Sequence, residues 1–243
     1  MIGIDRPLRI SAIDLEVGEA LVLDAALGEA VAAHWRAAVA ANPALWNGSA
    51  FLFERPTIVD GVFSARARPT DFATLLYRLR VGFDRPATAH VFPVAAVTSR
   101  DGHLLVGRQG RGSANAGLAY PPSGSFDASD VVDGRLDPVA NMRRELTEEV
   151  GLDLDAFPAD PQWWALPSGA GRIALVRRHR SPLAAAALRA RALAGRATAS
   201  DDELDHVDLV GGETRLAEPA TVPYVPLLLD LIAAERRASE TVP

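Results

Sequence analysis

From Glu16 to Asn42 the chain is alanine-rich, with apolar residues spaced to line one side of a helix. Asn42-Pro43 and Asn47-Gly48 then signal turns, so an amphipathic helix is predicted over 16–42. "SAFLFERPTIVDGVFSARAR" (49–68) alternates apolar and polar positions around Asp60-Gly61, which predicts two strands and a tight turn. "TDFATLLYRLR" (70–80) opens with a Thr-Asp cap and continues as a short helix. "FDRPATA" (83–89) reads as a boundary, so residues 1–88 are expected to form a small α+β domain and 89–243 a second domain.

The second half follows another rhythm. "VFPVAAVTSRDGHLLVGRQG" (91–110) is strand, Asp-Gly turn, strand, the plainest hairpin in the chain. A loop and a helix near 138–150 follow, then strand-like "GRIALVRRHR", helical "PLAAAALRARALAG", strand-like "DHVDLVGG" and a closing helix in "PYVPLLLDLIAAERRA". Strands and helices interleave without strict alternation, which favours an α+β fold with a mixed sheet.

The helix near 138–150 carries the candidate chemistry. Asp137-Pro138 is a good start and Gly151 a good stop. At about 100° per residue from Glu145, the residues Val139, Met142, Leu146 and Val150 form one apolar stripe. Glu148 and Glu149 fall within about 100° of each other and flank Glu145, beside that stripe. Arg143 and Arg144 project elsewhere on the wheel, so neither is expected to neutralise the three glutamates. Clustered like charges repel, and a hard divalent cation such as Mg²⁺ relieves this with carboxylate oxygens as ligands. The alternative is a solvated acidic helix.

Composition narrows the classes. The chain has 243 residues, a net charge of −6 and no lysine. A nucleic-acid groove is therefore disfavoured, and lysine Schiff-base or P-loop chemistry is excluded. No cysteine is present, which removes disulfides, thiolate zinc sites and cysteine nucleophiles. The apolar stretches are too short to span a bilayer, and the expectation is a cytoplasmic protein with no membrane partner.

Arg144-Glu-Leu-Thr-Glu-Glu-Val-Gly-Leu152 matches the second half of the Nudix box, R-E-U-x-E-E-x-G-U with U aliphatic. The region from about 89 to 235 therefore resembles the Nudix hydrolase superfamily. "RDGHLLVGR" (100–108) is similar to the hairpin that precedes the box, and "PSG" (122–124) to its Pro-Gly-Gly loop. The spacing departs from the family. Leu136 stands where the box has its first Glu, and Gly124 lies twenty residues before Arg144, six more than usual. Ser123 replaces one loop glycine, and Asp127, Asp130, Asp133 or Asp137 could replace the missing acid.

The resemblance implies an α/β/α sandwich and Mg²⁺-dependent hydrolysis of a nucleoside diphosphate linked to another group, with Mn²⁺ a possible substitute. It implies Glu145, Glu148 and Glu149 as metal ligands, with the Gly124 carbonyl joining them. Arg144 would orient a glutamate. Glu203 is the choice for general base, ahead of Asp202; a helix glutamate is the alternative. Arg108 and Arg111 are candidates for phosphate contact and Asp127 for substrate binding, with Arg172 and Arg177 weaker. Trp163 and Trp164 could stack on a base but fit a strand half in the core. His103 and His179 are expected to be ordinary exposed residues. Pro167, fifteen residues after Leu152, and the N-terminal unit lean the substrate toward a nucleotide-sugar. A silent Nudix domain that senses a nucleotide is the rival reading, an interaction module built on the N-terminal domain a third, and a homodimer is compatible with the fold.

Overall fold

A computed structural model describes residues 4–84, 87–113, 115–199, 204–211 and 221–240. The first elements are β1 (Leu8–Ile10), β2 (Ala12–Val17), α1 (Ala25–Ala41), β3 (Ser49–Val59), β4 (Val62–Asp71) and α2 (Phe72–Val81). Next come β5 (His90–Thr98), β6 (Leu104–Gln109), β7 (Ala119–Tyr120), β8 (Val131–Val132), β9 (Arg135–Leu136) and α3 (Pro138–Val150). The chain continues through β10 (Ala159–Pro167), β11 (Arg172–Arg180), α4 (Ala185–Arg196), β12 (Leu204–Val210) and α5 (Tyr224–Glu240).

The helix expected over 16–42 is shorter. Asp24 accepts from the Leu27 amide at 2.8 Å and starts α1 at Ala25. Ala12–Val17 instead pair in parallel with Val62–Ala67. The Asp60-Gly61 turn forms as read, with φ of 49° and 77°. Both residues are in the left-handed region that a two-residue hairpin needs.

One sheet runs β1-β10-β11-β5-β6-β12, with β7 beside β6. Alternation along its central strands separates two faces. Val91, Ala95, Val97, Ile173 and Leu175 meet Met142, Leu146, Val150 and Leu188 from α3 and α4. Val94, Ala96, Ala174 and Val176 meet Tyr224, Val225, Leu228 and Ile232 from α5. Helices cover both faces, so this half is the expected α/β/α sandwich within a mixed α+β chain.

The second sheet runs β3-β4-β2-β9-β8. Ala50 and Leu52 turn toward Leu75 and Phe83 at α2, while Phe51, Phe53 and Phe63 join the core under α3. Each such phenylalanine contributes about 1.5–3 kcal/mol of burial. Backbone pairing crosses the position 88–89 in three places, one of them the antiparallel bridge between Phe53 and Ala89. β1 pairs antiparallel with β10, and β9 pairs with β2 through Glu16 and Arg135. Among the described residues no helix is long and apolar enough to cross a membrane.

Candidate functional site

Helix α3 begins where Asp137 accepts from the Val139 and Ala140 amides, and ends at Gly151 in the left-handed region, φ 61°. Its apolar stripe is buried as patterned, with Leu146 and Val150 fully enclosed. Glu145 and Glu149, one turn apart, are buried on the same side. Glu148 is different: its side chain is 39% exposed, so it stands at the rim.

The expectation that Arg144 points away from these acids is incorrect. Its guanidinium lies 2.7 Å from Glu145, 3.2 Å from Glu148 and Asp130, and 3.5 Å from Asp127. A wheel projects Cα directions, whereas a long arginine folds back over its own helix turn. Burial opposes the charge on Arg144, but Glu145 and Asp130 outweigh it and hold its pKa above the ordinary arginine value. Arg143 does turn outward, to Asp155 at 3.0 Å.

The lengthened loop before α3 is organised around Asp130, which is 1% exposed. Its carboxylate accepts from the Asn141 amide at 2.8 Å, the Asp127 backbone at 2.9 Å and Arg144 at 3.2 Å. Of the four candidate acids, Asp130 and Asp127 reach Arg144. Asp137 is occupied as the helix cap, and Asp133 sits at φ 49° in the turn between β8 and β9. That β8–β9 hairpin accounts for the extra length: it leaves the site and joins the second sheet, where Arg135 pairs with Asp14.

Gly124 borders the Glu145 carboxylate so closely that a built Cβ would fall inside it. The loop is pinned just beyond. His90 Nε2 lies 3.0 Å from Ser125 Oγ, and Asn141 donates to the Ser125 carbonyl at 3.3 Å. His90 is buried, and burial together with the nearby Arg172 charge pushes its pKa down to about 3. It stacks on Phe92 at 5.0 Å, and Phe92 meets Tyr224 at 5.8 Å. Burial raises the Tyr224 pKa; Ser123 opposes this, and the charges of Tyr120 and Glu149 add to it. Sequence reading missed His90, Asn141 and Tyr224. They come from three elements distant in the chain, and no local motif marks them.

The remaining candidates divide. Arg108 is half-buried on β6 and Arg111 is exposed in the turn beyond. Neither makes an ion pair or side-chain hydrogen bond among the described residues. Arg177 donates to the Asp160 carbonyl at 2.8 Å and covers Trp163, and Arg9 covers Trp164. These tryptophans serve the β1–β10 edge. His179 is buried rather than exposed, with Nδ1 3.2 Å from the Phe157 carbonyl. Glu203 and Asp202 lie outside the described residues. Among the described residues, no three carboxylate or imidazole side chains converge as a metal-ligand group.

An α/β/α sandwich with an acid-bearing helix packed against a glycine loop is the class this geometry defines. No family model matches the chain, and no curated protein matches it. Solved structures do show similarity. The MutT protein from Methanosarcina mazei Go1 is 17% identical, with 61% of this chain and 96% of that one covered at a TM-score of 0.39. A NUDIX hydrolase from Nitrosomonas europaea is 13% identical over 64% of this chain and 93% of that one, at 0.35. A bifunctional NMN adenylyltransferase/ADP ribose pyrophosphatase from Francisella tularensis, complexed with AMP and a manganese ion, is 15% identical over 60% and 42%, at 0.39. Likeness this distant carries no argument about activity, so the chemistry rests on the residues.

Proposed function

We propose that this chain is a Mg²⁺-dependent hydrolase cleaving the diphosphate linkage of a nucleoside diphosphate-linked compound, a nucleotide-sugar first among them. The products are a nucleoside monophosphate and a phosphorylated moiety. The observation that carries the reading is the Arg144–Leu152 match on a helix whose Glu145 is pressed against Gly124.

The donors suit a hard cation. Glu145 and Glu149 offer oxygen on the buried side of α3, with Glu148 at the rim and the Gly124 carbonyl assigned to the same set. Mg²⁺ commonly takes one or two protein carboxylates and leaves its other positions to water and substrate phosphates. A helix without a closed cage fits that habit, and Mn²⁺ is the expected substitute. The ion, when bound, supplies charge for the diphosphate and lowers the pKa of a bound water. Arg144, anchored by Asp130 and Asp127, holds Glu145 and Glu148 in their orientation. Glu203 remains the proposed general base.

The test is a Mg²⁺ and Mn²⁺ turnover screen over UDP-, ADP- and GDP-sugars, dinucleoside polyphosphates, NADH and coenzyme A. Release of nucleoside monophosphate, abolished by Glu149→Gln, supports the proposal. Tight nucleotide binding with no product would instead favour a ligand sensor.

A further inference from the structure

Arg172 is the first residue of β11 and stands beside His90 in the parallel β5–β11 register. Its side chain is half-buried, and among the described residues it has no acid, no hydrogen bond and no aromatic face as partner. Three other arginines taken partly out of water are matched, whereas among the described residues Arg108, half-buried on β6, is not. Arg68 meets Glu54 at 2.9 Å, Arg178 meets Glu235 at 2.9 Å, and Arg144 meets four carboxylates. A charge held away from water without a counter-ion is costly. Burial alone acts on the Arg172 guanidinium, and it lowers its pKa.

The surroundings connect Arg172 to the glutamate helix. His90, kept neutral by burial, meets Ser125; Ser125 follows Gly124; Gly124 abuts Glu145. On the other side, the β10–β11 turn leaves room for the guanidinium. A Cβ built on Gly169 would lie 2.8 Å from Arg172 Nη2, and Gly169 itself has φ 102°. The turn thus sets a cation next to His90, the residue that contacts the loop bordering the proposed metal site.

We infer that Arg172 is an anion-binding residue that receives a phosphoryl group of the substrate diphosphate beside the Gly124–Ser125 loop. This rests on the hydrolase reading above, which the experiment below separates from it. A phosphoryl oxygen pair matches the guanidinium fork and supplies the missing counter-charge. The ion on α3 and Arg172 would then share the diphosphate charge from two sides.

The experiment titrates ADP, and separately inorganic pyrophosphate, into the full chain in EDTA by calorimetry, alongside steady-state kinetics with Mg²⁺. Arg172→Gln is expected to weaken both ligands about ten- to a hundredfold, and to raise KM with a smaller effect on kcat. Arg172→Lys is expected to recover only part of the affinity, because a point charge lacks the fork. Asp133→Asn, in the exposed turn between β8 and β9, is expected to leave metal-free binding intact. Removing an unmatched cation is also expected to leave the melting temperature unchanged or raised. Unaltered ADP and pyrophosphate affinity in Arg172→Gln, or no binding of either by the wild type, overturns the inference. Binding that depends on Arg172 without turnover defeats the hydrolase reading alone. Turnover with unaltered affinity in Arg172→Gln defeats the anion site alone.

Discussion

The Glu145 carboxylate occupies the space that a side chain on Gly124 would need. The two residues come from a loop and a helix, and their contact fixes where one carboxylate of the site sits. The glycine is required by close approach, since its φ lies outside the left-handed range.

Gly124→Ala should therefore move Glu145 while leaving the fold in place. Displacement of a reactive group by about 1 Å can cost on the order of a hundredfold in rate, and overpacking costs about 1–3 kcal/mol. Turnover should fall about a hundredfold with a modest loss in melting temperature. Retained turnover would show that Glu145 does not act where it now lies.

Asp130→Asn removes the buried acid behind Arg144. Losing a hydrogen bond to a charged group costs about 1.5–3 kcal/mol, and loss of an outer partner of a metal site typically costs about 10–100-fold in metal affinity or activity. Both effects should appear together, in urea unfolding and in the Mg²⁺ concentration for half-maximal rate. Asp133→Asn, in the exposed turn of the same loop, should change neither.

His90 sets an acid limit on stability. Its folded pKa, about 3, lies below the ordinary histidine value near 6.5. The unfolded chain therefore binds the extra proton first, so stability falls as pH drops from about 6.5 toward 3, by up to about 1.4 kcal/mol per pH unit. Above that window the group has no effect. Unfolding measured from pH 8 to 4 should show a shallower decline in His90→Gln than in the wild type; parallel curves would contradict this.

Asp71 caps α2, accepting from the Thr74 amide at 2.9 Å and the Asn47 side chain at 3.1 Å. Burial raises its pKa, but these hydrogen bonds outweigh that and hold it below the ordinary carboxylate value. The stabilisation is present above the unfolded pKa and is lost as pH falls through the lower folded value. Asp71→Ala should cost about 0.5–2 kcal/mol at neutral pH and Asp71→Asn less, as read by thermal melting.

Much of this was determined locally. The Asp101-Gly102 hairpin, the Asp137 cap, the Gly151 stop and the stripe from Met142 to Val150 follow from backbone preference and hydrophobic period, which depend on neighbours in the chain. Helix α3 and its three glutamates were therefore legible, and so was the mixed α+β class. Tertiary structure decided the rest. Whether Glu148 is buried, whether Arg144 reaches back to four acids, and which aspartate supports it depend on the path of a loop whose hairpin joins the second sheet. His90 and Arg172 become neighbours through the parallel pairing of strands some eighty residues apart, and the loop before α3 then brings Ser125 to His90. Such contacts depend on packing and charge matching between distant segments, and a linear pattern records neither.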